Sequence, residues 1–290
     1  MLSEKWVTLL RGWLGISRTR LFTAVITPSL IGVAAAVADG YFSALRFILL
    51  IVGLILAEIM NLFLADWTEY KKIDISRERV IPPPHLEGSP MLPPHILPLK
   101  YTAVAAIVTA IPALAVLIYF VTQLGWPVWA LLATAAFVGV LYVAPPLPFA
   151  FFSTALLPPI IAFGGYFVMA GAGGVKAGLS SLPVMFISAG VIYTYRVLYE
   201  PRVWSNFEIK RSIMLVLYAL CYITLLVVAL SGVATRWILL GLLTAPILFM
   251  VSMTTARQKT DYMPATSFGV LMHFGTGILI AIGYIISAYL

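Results

Sequence analysis

Long apolar runs separated by short polar breaks occupy almost the whole chain. Runs of about 17–25 apolar residues are long enough to cross a bilayer as helices. Nine stand out, at 21–38, 44–65, 100–122, 127–144, 155–171, 181–199, 212–231, 236–254 and 267–289. No strand patterning interrupts them, and hydrocarbon offers unpaired backbone groups no partner, so each run predicts a helix. The expectation is all-α: a polytopic membrane protein of nine transmembrane helices in a single domain over residues 1–290. Pro28, Pro112, Pro158, Pro159 and Pro246 lie in or beside the runs. Neighbours in a bundle can satisfy the carbonyls that proline frees.

Composition agrees with the pattern. Of 290 residues, 62% are hydrophobic and 10% charged, against about 25% charged in soluble domains. Cys221 is the only cysteine, which excludes an internal disulfide and a cysteine-built metal site. "LFTAVITPSLIGVAAAV" has the look of a signal-peptide core, and "AVA" at 36–38 resembles a cleavage site. With Met1 still ahead of it, this segment is expected to be a retained first span.

The net charge of +7 bears on orientation rather than on nucleic acid, because the basic residues are scattered over the connections. Nine spans put the two termini on opposite sides. With the N-terminus cytoplasmic, the inside segments hold 15 of the 18 Lys and Arg residues, and the outside segments hold only Arg46, Lys176 and Arg236. That bias predicts a cytoplasmic N-terminus. The inside link after the second run, 66–99, is long and proline-rich, "RERVIPPPHLEGSPMLPPHILP", and is expected to form a cytoplasmic cap. The next inside turn, "YVAPPLPFAFF", carries no charge.

The second run ends in "NLFLADWTEYKKID", residues 61–74, where Asp66, Glu69 and Asp74 gather around Lys71 and Lys72. On a helix, Glu58, Asn61, Asp66 and Glu69 fall within an arc of roughly 140°. An unpaired acid at mid-membrane costs about 2.5–3.5 kcal/mol on insertion scales, so Glu58 should face the bundle interior or a wet cavity. Two readings of the stripe fit. The acids can mark the water boundary and pair with Lys71 and Lys72. Alternatively, carboxylates at i and i+3 can share a hard cation such as magnesium, which often also holds substrate phosphates. No His or Cys stands beside them, which speaks against zinc.

Other pieces follow in order: "SRTRLFTAVITPSLIG" opens the first run, "YVAPPLPF" ends the fourth, "FGGYFVMAG" the fifth, and "PATSFGVLMHFGTGILIAIGYII" closes the chain. With the acidic stretch, this order resembles the UbiA superfamily of intramembrane prenyltransferases, nearest its 1,4-dihydroxy-2-naphthoate polyprenyltransferase branch in quinone biosynthesis. The resemblance implies a nine-helix bundle around a central cavity opening to lipid. There a polyprenyl diphosphate binds through Mg2+ held by two Asp-rich motifs, and an aromatic acceptor attacks the allylic cation. Asp66 and Glu69 match the first two acids of the family's NDxxDxxxD motif, and Asp74 comes one residue late for the third. Ala65 replaces the motif's asparagine, and Asn61 is one residue out of step with an upstream family asparagine. The resemblance makes Asp66, Glu69 and Asp74 the catalytic and metal-binding candidates. Arg18 matches a family arginine, and Lys71, Arg77 and Arg79 can reach phosphate oxygens. His85 and His95 read as ordinary loop histidines.

The second family motif, NxxRDxxxD, meets "YTYRVLYEPRVW", residues 193–204. Arg196 fits the motif arginine, but Val197 and Pro201 stand where metal-binding aspartates are expected, and Glu200 is out of phase. Arg196 and Arg202 can act as fixed cations in place of a metal. Losing one metal from a site that ionises a diphosphate should remove several kcal/mol, at about 1.4 kcal/mol per tenfold in rate. Tyr166, Tyr193, Tyr195 and Tyr199 can line an isoprenoid or quinone cavity with Glu58 and Asn61, or serve as interfacial anchors. Three functions therefore stand: a divergent prenyltransferase; a catalytically silent subunit of a membrane complex that holds a quinone, carotenoid or lipid; and a transporter relaying ions through Glu58 and Asp66. No internal repeat of the transporter kind is visible.

Overall fold

The computed structural model describes residues 22–72, 99–143, 147–194, 198, 206–257 and 263–290. About 90% of these residues are helical, with no strand among them. In chain order the helices are α1 (Phe22–Ala38), α2 (Ala44–Lys72), α3 (Leu99–Leu124), α4 (Pro127–Val143), α5 (Leu147–Ala170), the short α6 (Val175–Ser180), α7 (Leu182–Tyr193) and α8 (Phe207–Leu230). A nine-residue 3-10 helix, Arg236–Thr244, then runs directly into α9 (Ala245–Arg257), and α10 (Met263–Tyr289) closes the chain.

Over its described residues every apolar run thus coincides with a helix or, at 236–254, with two joined end to end. Among the described residues five helices are long and apolar enough to cross a membrane: Ala44–Leu64, Ala103–Leu124, Phe207–Leu230, the continuous Arg236–Arg257, and Pro264–Tyr289. Four apolar helices are shorter: Thr23–Ala38, Pro127–Val138, Ala155–Ala170 and Leu182–Tyr193. The outward faces are greasy. Ile107, Ile111 and Leu114 of α3 and Val216, Ile223 and Val227 of α8 are exposed. Apolar area on this scale marks a surface meant for lipid. The described helices belong to an integral membrane protein.

Several boundaries differ from the apolar runs. α2 continues past the run's end at 65 to Lys72, because polar residues extend a helix as readily as apolar ones. α5 begins at Leu147, inside the expected "YVAPPLPFAFF" turn. Pro148 sits in its first turn, where its missing N–H costs nothing. At the end of α7, Thr194 and Leu198 adopt the wider π-helical geometry.

The chain groups into two compact units. The first takes in residues 52–119, where α2 and α3 pack antiparallel. Gly53 meets Val116 at one end, and Phe63 packs with Ala106 at the other, flanked by Ile59 and Ala105. The second takes in residues 23–51 and 120–290. In it α5 packs on α4 and α7, α7 on α8 and α10, and α10 on the 3-10 helix and α9. Its core joins Ile187, Leu198, Met214, Tyr218, Cys221, Val251 and Met272. α1 joins this unit by close backbone approach. Gly32 lies against the Ala162 carbonyl and the Tyr166 amide of α5, and Gly165 against the Ser29 carbonyl. Small residues at such crossings are what let membrane helices gain packing energy.

Candidate functional site

The acidic stripe rides on α2. The helix is unbroken from Ala44 to Lys72, so the backbone at 58, 61, 66 and 69 keeps the helical register that sets these positions on one face. Glu58 and Asn61 are half-buried, and Glu58 has an interaction partner. Asp66, Glu69 and Lys71 occupy the last turns of α2, with side chains outside the described residues. Arg18, Asp74, Arg77, Arg79, Tyr195, Arg196, Tyr199 and Arg202 lie wholly outside them, as do Val197 and Pro201. Among the described residues no three His, Cys, Asp or Glu side chains converge on one point.

Tyr166 and Tyr193, both candidates for a cavity lining, are buried in the second unit but not together. Tyr193 ends α7 and joins the apolar core with Tyr218. Tyr166 sits near the end of α5 and donates to Asp39 Oδ2 at 2.6 Å. Asp39, in the α1–α2 turn, also takes an ion pair from Lys176 of α6. Lys176 Nζ stands 5.8 Å from the centre of the Tyr166 ring and 6.0 Å from that of Tyr284, within cation–π range. Ser180 gives its proton to the Lys176 carbonyl (2.7 Å). The 2.6 Å contact between the Ser180 and Tyr284 hydroxyls is therefore donated by Tyr284. Arg46 completes the group by donating to the Val168 and Met169 carbonyls at 3.2 Å, two orphan acceptors at the end of α5.

This polar cluster ties α1, α5, α6 and α10 together at one end. Partial burial pushes the Asp39 carboxyl up, but the hydrogen bonds from Lys176 and Tyr166 and the ammonium charge outweigh it, leaving the carboxyl below its ordinary value. The turn is compact because Gly171, Gly173 and Gly174 take φ of 77°, 76° and 118°, open to glycine at little cost. Aromatic side chains ring the same end: Tyr41, Phe42, Trp126, Trp237 and Tyr289 are all exposed, as at a membrane–water interface. The sequence reading missed the cluster. Its signals were Asp39, the one acid in the outside connections, and two of the three outside basic residues, Arg46 and Lys176.

A second polar tie joins α8 to α9. Arg211 donates to the Ser252 carbonyl (3.0 Å), Ser252 Oγ (3.1 Å) and Thr255 Oγ1 (3.2 Å), and reaches Glu208 at 3.4 Å. A shallow groove of about 420 Å³ follows Glu208, Ile209, Ser212, Ile213, Val216 and Leu217 along α8. It is apolar apart from Glu208 and Ser212.

No protein-family model matches this chain, and no curated protein matches it.

Proposed function

We propose that the protein is a divergent UbiA-type prenyltransferase, moving a polyprenyl group from its diphosphate to an aromatic acceptor. The observation that carries the reading is the continuity of α2 through Lys72. It keeps Asp66 and Glu69 at i and i+3 of one helix, beyond half-buried Glu58 and Asn61. An all-oxygen donor set suits magnesium, and Asp66, Glu69 and Asp74 would hold it. Bound there, the ion would neutralise charge growing on a leaving diphosphate. The chain's own part is to supply fixed cations, Arg18, Lys71, Arg77, Arg79, Arg196 and Arg202, for phosphate oxygens. Apolar walls keep water from the allylic cation. In this reading all nine apolar helices cross the bilayer, the N-terminus is cytoplasmic and the C-terminus lies on the opposite side.

A second reading is favoured by Val197 and Pro201, which stand where the family carries metal-binding aspartates. In it the fold is kept without catalysis, and the protein is a subunit of a membrane complex that binds a quinone, carotenoid or lipid. One experiment separates the two. Purified protein in nanodiscs is assayed for magnesium-dependent binding of a polyprenyl diphosphate and for turnover with an aromatic acid. The enzyme reading expects both, and expects Asp66→Ala to abolish turnover. Binding without turnover supports the silent subunit, and turnover unchanged in Asp66→Ala removes the site assignment.

A further inference from the structure

α10 carries an unusual face. Ala265, Gly269, His273, Gly277 and Ala281 recur every fourth residue and are all buried, so a small-residue stripe has an imidazole at its centre. Small residues let neighbours approach closely, and two of the neighbours here are hydroxyl-bearing residues. At Gly269 the Tyr218 hydroxyl of α8 lies against the backbone, inside the space a Cβ would need. At Gly277 the neighbours are the methyl group of Thr27 on α1 and Val184 of α7. Thr266 stands on the same face, since 266, 269, 273 and 277 fall within about 80° of arc.

These are also the groups the protein leaves unsatisfied. Thr27 Oγ1, Thr266 Oγ1 and both ring nitrogens of His273 are buried and have no hydrogen-bond partner among the described residues. The Tyr218 hydroxyl lies near Thr194 but outside good hydrogen-bond geometry. Pro28, next to Thr27, has no N–H to offer the Ala24 carbonyl. Buried polar atoms are nearly always paired, with protein or with internal water. An ionisable side chain in a spanning segment marks a functional site by default.

We propose that this face of α10 lines a file of internal water molecules from Thr266 past Tyr218 to His273 and Thr27. The file is about 16 Å long, 11 residues at 1.5 Å each, or about half the hydrocarbon thickness. The guest is water because the unmet groups are single hydroxyls and one imidazole, and buried polar atoms that lack a protein partner are met by internal water. The file has its outer end at Thr266, one turn from the start of α10. It closes beyond Gly277, where Ile280 and Ala281 are buried and apolar. His273 is thereby the innermost titratable group that water reaches along it. This inference does not depend on the prenyltransferase reading.

The test uses the full chain in lipid bilayers, with His85→Gln and His95→Gln leaving His273 as the only imidazole. Water-edited 15N NMR measures how fast polarisation passes from water to a chosen nitrogen. The His273 ring is expected to build up at least about threefold faster than the backbone amide of Cys221, which is equally buried but in the apolar core. Thr266→Val, which keeps the shape and removes the hydroxyl, should slow the His273 build-up at least about twofold. A His273 ring as slow as Cys221 overturns the file. So does build-up that neither Thr266→Val nor Thr27→Val changes. A stoichiometric organic molecule whose extraction shifts the His273 signals would overturn water as the guest.

Discussion

Adding one methyl group where α1 meets α5 should separate close packing from mere proximity. An ideal Cβ at Gly32 would stand 2.9 Å from the Tyr166 amide nitrogen and 3.0 Å from the Ala162 carbonyl carbon, with the Ala162 oxygen nearer still. All three are backbone atoms, so no side chain can swing away and the helices must part. Overpacking costs about 1–3 kcal/mol, and a backbone-to-backbone clash belongs at the upper end, about 3 kcal/mol. Alanine is a better helix former than glycine by about 1 kcal/mol, leaving Gly32→Ala a net loss of about 2 kcal/mol. Gly164 is the control. Its Cβ would meet nothing within 4 Å, so Gly164→Ala keeps only the helix gain. Cys221 makes the assay simple, being the chain's single cysteine and fully buried. A thiol-reactive fluorogenic dye labels it only as the bundle opens on heating. At about 2–4 °C per kcal/mol for a chain of this size, Gly32→Ala should open about 4–8 °C below the wild type, with Gly164→Ala level or slightly above. Equal midpoints for the two variants would refute the reasoning.

The polar ties give further predictions under the same assay. Because the Asp39 carboxyl sits below its ordinary value, its stabilisation is full above the ordinary carboxylate range and fades as pH falls through that range and below it. Asp39→Asn should therefore open earlier than wild type at neutral pH, by about 1 kcal/mol for a partly exposed pair with one hydrogen bond. The difference should close on acidification, and a difference constant with pH would count against the assignment. Arg211→Met removes the three bonds to Ser252 and Thr255 and should cost about 1–3 kcal/mol. Wild-type stability in that variant would mean that α8 and α9 do not depend on the tie.

The positions of the helices were legible because a spanning helix needs only length and apolarity, both readable one residue at a time. Their ends were not. α2 runs on through charged residues, and α5 starts on a proline-rich segment that reads as a breaker but supplies an acceptable first turn. The 3-10 stretch at Arg236–Thr244 was invisible because tight and ordinary helices look alike in composition. It rests on contacts made after folding: Gly283 of α10 lies against the Trp237 backbone, and Thr244 hydrogen-bonds Thr276 at 2.7 Å. The α2 acids were legible because charge at the end of an oily run is costly and conspicuous. The Asp39 cluster was not, since Tyr166 and Lys176 lie 127 and 137 residues along the chain from Asp39. His273 had one signal, an imidazole inside an apolar run, and one residue does not alter a window average.

Within the second unit, satisfied and unsatisfied polar groups are sorted by position. At the Asp39 end each group is spent on a neighbour. Asp39 takes both Tyr166 and Lys176, Tyr284 gives to Ser180, and Arg46 covers two α5 carbonyls. Such an end is held shut by groups with little capacity left for a guest. Thr266, His273 and Thr27 are the reverse, buried among helices with hydrogen-bonding capacity unused. Leaving a buried polar group unmet costs about 1–3 kcal/mol, and an apolar side chain would avoid that cost at each position. Three such groups on one stretch of bundle core, with the Tyr218 hydroxyl between them, are hard to account for as packing. They follow directly if the interior must stay wet from Thr266 past His273 as far as Thr27, and dry from there to the Asp39 cluster.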